Sequence, residues 1–213
     1  MKAVIVANGK FNSEDFDRLV LMDSSYILAC DGGLQHCHNL GITPNYIVGD
    51  MDSVNKDLLL EYKNVPLLRF HSEKDQTDLE LAIAHACDLG IESVIVLGGL
   101  GGRFDHQLGN IHALAQAVDR GVRAEMWDEL TRVILTNNYC RLHKGSGILV
   151  TLIPLTTSVD GIITDGLKYP LRNESLFIGS ARGVSNEILG DWASVSIKNG
   201  HLLVVQIKTS SKT

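Results

Sequence analysis

Acidic residues recur at the ends of apolar runs in the first half of the chain. Four turns of this kind are rich in glycine or aspartate: Cys30-Asp31-Gly32-Gly33, Gly49-Asp50-Met51-Asp52-Ser53, Lys74-Asp75-Gln76-Thr77-Asp78 and the segment 98–106. Ligands of open parallel α/β sheets bind beyond the carboxyl ends of the strands. Clustered carboxylates repel one another unless a cation joins them, and Mg²⁺ carrying a nucleotide polyphosphate commonly does so. These turns therefore predict an enzyme that handles a metal and a phosphate.

The pair Asp50 and Asp52 is the first candidate for metal binding. The two residues are two positions apart at a predicted strand end, so both side chains can face one side with Cα atoms roughly 6–7 Å apart. The alternative is that aspartate, glycine and serine are ordinary turn residues. For Asp31-Gly32-Gly33 alone, a plain turn is the better interpretation. The recurrence at successive strand ends favours a site, because turn chemistry does not require it.

The third turn combines candidate ligands with a helix start. Asp75 and Asp78 are three positions apart, which places them on one face of the first helical turn. Acids there also complement the helix dipole, and Thr77 with Glu80 forms a capping box, so both have structural explanations. Lys74 is either a solvated charge or, beside a metal site, a phosphate contact.

The segment 98–106 carries four glycines within five residues, followed by Arg103, Asp105 and His106. Glycine allows close approach of the backbone to a ligand, and the next helix N-terminus offers free amides to an anion. Neither the G-x-G-x-x-G pattern nor the Walker A pattern is present. Arginine binds phosphate through two parallel hydrogen bonds, so Arg103 makes the segment a moderately specific phosphate candidate.

Strand and helix patterns alternate up to about residue 130, with strands predicted at 3–7, 26–30, 46–48, 66–70, 93–97 and 123–127. Helices are predicted near 34–40, 56–62, 81–89 and 107–119. This alternation predicts an α/β domain (1–130) with a mainly parallel sheet. Beyond it, β-rich segments at 131–136, 147–153, 161–164, 175–178, 194–198 and 201–208 predict a small all-β sandwich (131–213). Asn199-Gly200 is the strongest hairpin signal.

Composition narrows the class of protein. The 213 residues carry 19 Lys and Arg against 25 Asp and Glu, a net charge of −6, which argues against a nucleic-acid partner. No apolar stretch is long enough to span a bilayer, and no N-terminal signal pattern is visible. The four cysteines form no C-x-x-C pair, so a reduced, cytoplasmic location is expected.

In the predicted β-domain, the segment Ser180-Ala-Arg-Gly-Val-Ser-Asn-Glu187 is unusually polar. Taken in order with the four turns, its last five residues resemble those of the bacterial thiamine pyrophosphokinase (thiamine diphosphokinase) family over nearly the whole chain. The resemblance implies a homodimer with sites between subunits, in which the β-domain contributes to thiamine binding and dimerisation. It also implies the reaction of ATP with thiamine to give AMP and thiamine diphosphate.

The resemblance also implies residue roles. Asp50, Asp52 and Asp78, with Asp31 as a further candidate, would hold Mg²⁺. The nucleotide and its phosphates would be held by Lys74, Thr77, Arg103, Asp105 and His106. Ser185 and Asn186 of the partner subunit would orient the thiamine pyrimidine, Asp52, Asp75 and Arg103 would support catalysis, and Asp31 or Asp75 could act as a base. The alternatives are another Mg²⁺-dependent phosphotransferase or nucleotide hydrolase, and a non-catalytic nucleotide sensor.

Overall fold

The computed structural model describes residues 1–11, 14–24, 26–52, 54–69, 75–145 and 148–209. The chain divides into two compact units, Met1–Glu129 and Leu130–Thr213, which we call the α/β unit and the β unit. The predicted fold class, a mainly parallel α/β domain followed by an all-β domain, is confirmed. None of the helices in the described ranges is long and apolar enough to cross a membrane.

The α/β unit alternates strands and helices. Its strands are β1 (Lys2–Val6), β2 (Tyr26–Cys30), β3 (Tyr46–Gly49), β4 (Leu67–Arg69), β5 (Ser93–Leu97) and β6 (Arg123–Trp127). Its helices are α1 (Glu14–Met22), α2 (Gly33–Asn39), α3 (Lys56–Glu61), α4 (Asp78–Asp88) and α5 (Phe104–Asp119). The strands are parallel in the order β6-β5-β1-β2-β3-β4. The order reverses at β1, because the chain runs outward to β4 and then returns to β5 on the other side of β1.

Alternating side chains bury the sheet of the α/β unit on both faces. Residues 3–6 of β1 are fully buried, as expected of a central parallel strand. Val4 and Val6 share one core with apolar side chains of α1, α2 and α3. Helix α4 packs against β1, β2 and β3, and α4 and α5 pack against each other. The sheet therefore lies between two helical layers and leaves its strand ends for the loops that carry polar residues.

Local sequence explains where α4 begins but not where α5 begins. Thr77 caps α4, accepting from the backbone N–H of Glu80 while the Glu80 carboxylate accepts from the Thr77 N–H, so the predicted capping box is confirmed. Helix α5 begins at Phe104, three residues before the predicted start at 107. No side chain caps it, because Arg103 occupies the N-cap position, and the usual sequence signal is therefore missing.

The β unit consists of antiparallel strands in two groups. They are β7 (Thr131–Thr136), β8 (Tyr139–His143), β9 (Ile148–Pro154), β10 (Ser158–Asp165), β11 (Arg172–Phe177), β12 (Asn186–Glu187), β13 (Trp192–Ser196) and β14 (Leu202–Lys208). One group has the order β12-β9-β14-β7 and the other β11-β10-β13-β8. Apolar side chains of both groups form one buried core, which includes Leu142, Val150, Val159 and Val195.

The predicted hairpin at Asn199-Gly200 is wrong. Strand β13 pairs with β8 and β10, whereas β14 pairs with β7 and β9, so the turn carries the chain from one group of strands to the other. Asn199 instead forms a bridge with Asp160, whose N–H donates to the Asn199 carbonyl over 3.0 Å. Sandwich packing overrides the local preference of Asn-Gly for a two-residue hairpin.

Strand β8 was missed by sequence patterning. Only its second and fourth residues, Cys140 and Leu142, are buried, so the run has no continuous apolar character. Strands β10 and β11 extend beyond their predicted limits, because their polar residues pair as part of the sandwich. Positions 70 and 147, included in two predicted strands, lie outside the described residues.

Candidate active site

The carboxyl ends of the parallel strands in the α/β unit surround a cleft of about 640 Å³. It lies at the loops after β1 and β5, where the strand order reverses, which is the usual ligand position in such sheets. Six predicted site residues line this cleft: Asp31, Asp50, Thr77, Asp78, Arg103 and His106. Residues from distant parts of the sequence thus converge at one edge of the sheet.

Three carboxylates form the acidic part of the site. Asp31 follows β2, and Asp50 and Asp52 follow β3, the neighbouring strand. One carboxylate oxygen from each lies within 4.8 Å of the others, close enough to share a single ion. Asp78, the first residue of α4, also lines the cleft and acts on Asp31 through both a hydrogen bond and its charge. This is an oxygen donor set of the kind that hard divalent cations prefer.

The backbone holds these carboxylates in place. The Met51 N–H donates to Asp31 Oδ1 over 3.3 Å, and the Asp52 N–H donates to Asp50 Oδ1 over 3.1 Å. A Cβ at Gly49 would lie 2.0 Å from Asp31 Oδ1, so only glycine leaves room for that carboxylate. Asp31 and Met51 have φ values of 41° and 67°, a conformation that non-glycine residues rarely adopt. The loop is therefore shaped around its acidic side chains.

The electrostatics of Asp31 reflect this crowding. Its pKa is held well above the usual range, first because the carboxyl group is withdrawn from water and then because Asp78 and Asp50 are close. The Met51 N–H opposes the shift by stabilising the charged form. A bound cation would remove the repulsion that raises this pKa.

The turn before α4 divides into residues with different environments. Thr77 lines the cleft, but its hydroxyl group is engaged in the capping box with Glu80. Asp75 is exposed and is not among the residues that line the cleft. Lys74, predicted to contact phosphate, and Ser53 of the second turn lie outside the described residues. The capping explanation proposed for Glu80 is confirmed.

Arg103 and Asp105 form a two-point ion pair at the start of α5. Arg103 Nε donates to Asp105 Oδ1 over 3.1 Å, and its Nη2 donates to Oδ2 over 2.6 Å. This pair lowers the pKa of Asp105, and Arg103 is among the residues that line the cleft. The early start of α5 explains the geometry, because Asp105 and His106 lie in the first helical turn rather than in a loop. Asp105 therefore contacts the arginine in this structure and orients it.

Sequence reasoning missed the loop that follows β1. Asn8, Gly9 and Lys10 line the cleft, as do Gln76 and Asn110. Asn110 donates from Nδ2 to the Gly99 carbonyl over 2.9 Å and so supports the glycine-rich segment. The β1 loop also follows an apolar strand and contains glycine, but it lacks the acidic residues that distinguish the four predicted turns.

Ser185 and Asn186 lie in the β unit and differ in their availability. Ser185 is exposed, with a φ of 62°. Asn186 is buried, and its Oδ1 accepts from the N–H groups of Tyr169 and Glu187 over 3.1 and 2.9 Å. Its Nδ2 donates to the Tyr169 carbonyl over 2.8 Å. These contacts use most of the hydrogen-bonding capacity of the amide and hold Asn186 against the Tyr169 backbone, and its role as a substrate ligand stays a prediction.

Two family models match successive parts of the chain. The model described as thiamin pyrophosphokinase, catalytic domain, matches residues 18–126, and the model described as thiamin pyrophosphokinase, vitamin B1 binding domain, matches residues 139–203. The first match contains the acidic cluster and the Arg103 segment. The second lies in the β unit and contains Ser185 and Asn186.

Individual proteins agree with these matches. The thiamine pyrophosphokinase of Bacillus subtilis is 28% identical over 183 residues, which cover 84% of this chain and 86% of that protein. Thiamin pyrophosphokinase 1 of Caenorhabditis elegans is 28% identical over 181 residues, which cover 78% and 70%. The crystal structure of the enzyme from Geobacillus thermodenitrificans has a TM-score of 0.85 at 25% identity over the whole of both chains. This chain belongs to the thiamine pyrophosphokinase family.

Proposed function

We propose that this protein transfers a diphosphate group from Mg·ATP to the hydroxyl group of thiamine, giving thiamine diphosphate and AMP. The observation that carries the proposal is the convergence of the Asp31, Asp50 and Asp52 carboxylates within 4.8 Å at the cleft of the α/β unit. This cleft lies in the part of the chain that matches the family's catalytic domain, and a vitamin B1 binding domain follows it. That second match favours thiamine over other acceptors.

The acidic residues fit a magnesium ion. Asp31, Asp50, Asp52 and Asp78 offer only oxygen atoms, and Mg²⁺ in phosphoryl-transfer enzymes uses carboxylates together with substrate phosphates. Burial raises the pKa of Asp31, and the nearby Asp78 and Asp50 raise it further; a divalent cation would relieve the repulsion among these acids. When bound, the ion would neutralise negative charge on the phosphates during transfer.

The remaining residues contribute binding and orientation. Arg103 lines the cleft, and the ion pair of its guanidinium group with Asp105 restricts the directions in which that group can donate. Glycines 98, 101 and 102 have positive φ values, so the segment can bring backbone N–H groups close to a phosphate. Thr77 supports the start of α4, and His106 lines the cleft as a further nucleotide contact.

The reaction requires attack of the thiamine hydroxyl oxygen on the β-phosphorus, with cleavage of the bond to the α-phosphate oxygen and departure of AMP. Such transfers depend chiefly on positioning and charge stabilisation. The hydroxyl proton must leave, and Asp31 and Asp75 remain candidate acceptors. Asp31 lies within the acidic cluster, whereas Asp75 is exposed outside the cleft, so Asp31 is the better placed of the two.

We also propose a homodimer in which Ser185 of one subunit faces the cleft of the other. Ser185 is exposed and fixed by its N–H, which donates to Thr151 Oγ1 over 3.2 Å. Replacement of Ser185 by Asn is compatible with its left-handed backbone but removes the hydroxyl group. Ser185→Asn should raise the KM for thiamine while leaving the KM for ATP and the dimer mass unchanged. A monomer by native mass spectrometry at catalytic concentrations would contradict the shared site.

The deciding experiment is an incubation with Mg·ATP and thiamine, followed by separation of the nucleotides and thiamine esters. Equimolar AMP and thiamine diphosphate are expected. ADP with thiamine monophosphate would indicate transfer of a single phosphate, and AMP released without thiamine would indicate a hydrolase. Tight ATP binding without turnover would indicate a non-catalytic nucleotide sensor. The alternative functions are not favoured, because the second half of the chain matches the vitamin B1 binding domain.

A further inference from the structure

The loop after β1, residues 7–11, occupies the central position at the cleft. Strand β1 lies between β5 and β2, so this loop is flanked by the glycine-rich segment on one side and by the Asp31 turn on the other. A polyphosphate that extends from the acidic cluster toward Arg103 must pass this loop. Its position is therefore favourable for contact with the phosphates, although it has no acidic residue.

Backbone contacts hold the loop against the glycine-rich segment. The Ala7 N–H donates to the Leu97 carbonyl over 2.8 Å, and the Gly9 N–H donates to the Gly98 carbonyl over 2.9 Å. A Cβ at Gly9 would lie 2.1 Å from the Gly98 oxygen, so the approach requires glycine. These contacts join two walls of the cleft into one preformed surface.

A histidine supports the same loop from α2. His36 Nε2 lies 2.9 Å from the Gly9 carbonyl oxygen, and the His36 ring stacks on Phe11 with centroids 4.1 Å apart. Burial lowers the pKa of His36, so the neutral ring that donates from Nε2 is favoured. The conformation of Gly9, and with it the position of Lys10, is thus fixed from both sides.

The charges at the cleft leave a role for Lys10. In the described part of the chain, the Lys and Arg residues lining the cleft are Lys10 and Arg103. Arg103 is already hydrogen-bonded to Asp105 through two nitrogen atoms, whereas no carboxylate among the described residues forms an ion pair with Lys10. The cleft carries Asp31, Asp50 and Asp78 as well, so a polyphosphate needs additional positive charge beyond a metal ion.

We propose that Lys10 binds the polyphosphate of the nucleotide, as a further binding residue of the α/β unit. The inference rests on the proposed function in that it takes Mg·ATP as the ligand of the cleft. Lysine acts as a mobile point charge on phosphate oxygens, whereas the Arg103 fork imposes direction. A lysine held on a rigid loop between the acidic cluster and Arg103 would contact the β- and γ-phosphates rather than the nucleoside.

The test compares ligands that differ in these phosphates. Binding of the α,β-methylene analogue of ATP with Mg²⁺, and of AMP, is measured by calorimetry for the wild type, Lys10→Ala, Lys10→Arg and the control Lys63→Ala. Lys63 is an exposed lysine that is not among the residues lining the cleft. Lys10→Ala should weaken binding of the analogue about 10-fold or more, the effect of losing one charge-assisted contact. AMP binding should change less than about 2-fold, and Lys10→Arg should recover most of the loss.

Other outcomes overturn the inference. Unchanged affinity for the analogue in Lys10→Ala, or an equal loss for AMP, would remove Lys10 from the phosphate site. Thermal melting of each variant separates a binding defect from unfolding, and Lys10→Arg provides a second variant that retains the charge. If the wild type binds the analogue through Lys10 but makes no AMP with thiamine, the proposed reaction fails and this inference stands. If turnover occurs but Lys10→Ala leaves binding unchanged, the proposed reaction stands and this inference fails.

Discussion

The turn 49–52 in the α/β unit and the segment 185–187 in the β unit have similar local features. Both are short and polar, and each contains a non-glycine residue with positive φ, 67° at Met51 and 62° at Ser185. In the first, backbone N–H groups donate to the carboxylates of Asp31 and Asp50, and both residues line the cleft. In the second, the Asn186 amide satisfies the backbone of a neighbouring loop.

The difference follows from the secondary structure around each turn. Strand β3, which leads into 49–52, has both neighbours in a parallel sheet, so its backbone groups are paired and the acidic side chains of the turn remain for a ligand. The segment 185–187 contains only the two-residue strand β12, and the nearby residues 168–170 lie in no strand. A buried backbone needs hydrogen-bond partners, and here a side chain supplies them. A polar residue in a turn can therefore either remain available to a ligand or pair with the buried backbone of a neighbouring loop.

Neutralising one acid of the turn 49–52 should give the largest effect on activity. We expect Asp52→Asn to lower kcat roughly 1,000-fold or more, because a metal ligand contributes several kcal/mol to transition-state stabilisation. The melting temperature should stay near that of the wild type, since the side chain is exposed. Asp57→Asn, in the first turn of α3, is the matched control. Near-normal turnover at saturating Mg²⁺ would remove Asp52 from the ligand set.

In the β unit we expect a substitution to lower the stability of the fold first. Asn186→Ala should destabilise the protein by about 2–4 kcal/mol, because it removes the buried partners of the Tyr169 and Glu187 backbone groups. Urea unfolding measures this loss, with Ser185→Asn as a control that retains Asn186 and suits the left-handed backbone at position 185. If the variant is as stable as the wild type but fails to bind thiamine, Asn186 is a direct ligand and its amide is not needed to hold the Tyr169 backbone.

The α/β unit also contains a buried acid that does not line the cleft. Asp17 on α1 is 3% exposed, and its Oδ2 has no hydrogen-bond partner among the residues that the structure describes. Burial, together with repulsion from Asp128 and Glu129, raises its pKa from 3.8 to about 6. The unfolded chain therefore releases this proton at lower pH than the folded protein. The contribution of Asp17 to stability is retained below about pH 4 and lost as pH rises through about 6.

Asp17→Asn should consequently stabilise the protein by about 2 kcal/mol at pH 8 and have little effect at pH 4. Thermal or urea unfolding at both pH values provides the measurement. Asp23→Asn should instead destabilise the protein at pH 8, because the Lys2 ammonium lowers the pKa of Asp23 in the folded state. An equal effect of Asp17→Asn at both pH values would mean that the change acts through packing rather than through ionisation.

The smallest of these effects concerns Arg103. Arg103→Lys keeps the charge but loses the planar fork that binds Asp105 and, we propose, phosphate. We expect kcat/KM for ATP to fall roughly 10-fold, with KM for thiamine unchanged. Arg120→Lys, which alters an exposed arginine paired with Asp88, is the control. Unchanged kinetics for ATP would exclude Arg103 from the nucleotide site.

Much of the α/β unit was predictable because its signals are local. Successive apolar strands and amphipathic helices determine the alternation, and the Thr77–Glu80 capping box lies within four residues, so both follow from short-range geometry. The acidic turns were recognisable because strand ends of a parallel sheet meet at one edge. The β1 loop was not predicted to line the cleft, because nothing in Asn8-Gly9-Lys10 by itself distinguishes a cleft wall from an ordinary turn.

By itself, the sequence determined the fold class, the family resemblance and the carboxylates at the ends of β2 and β3, because each depends on periodicity or on a short motif. The tertiary structure decided which polar residues remain available for a ligand. Asn186 pairs with the Tyr169 backbone, Asn199-Gly200 connects two groups of strands, and Lys10 lines the cleft. These outcomes depend on partners distant in sequence, and no local propensity specifies which distant group will satisfy a given hydrogen bond or charge.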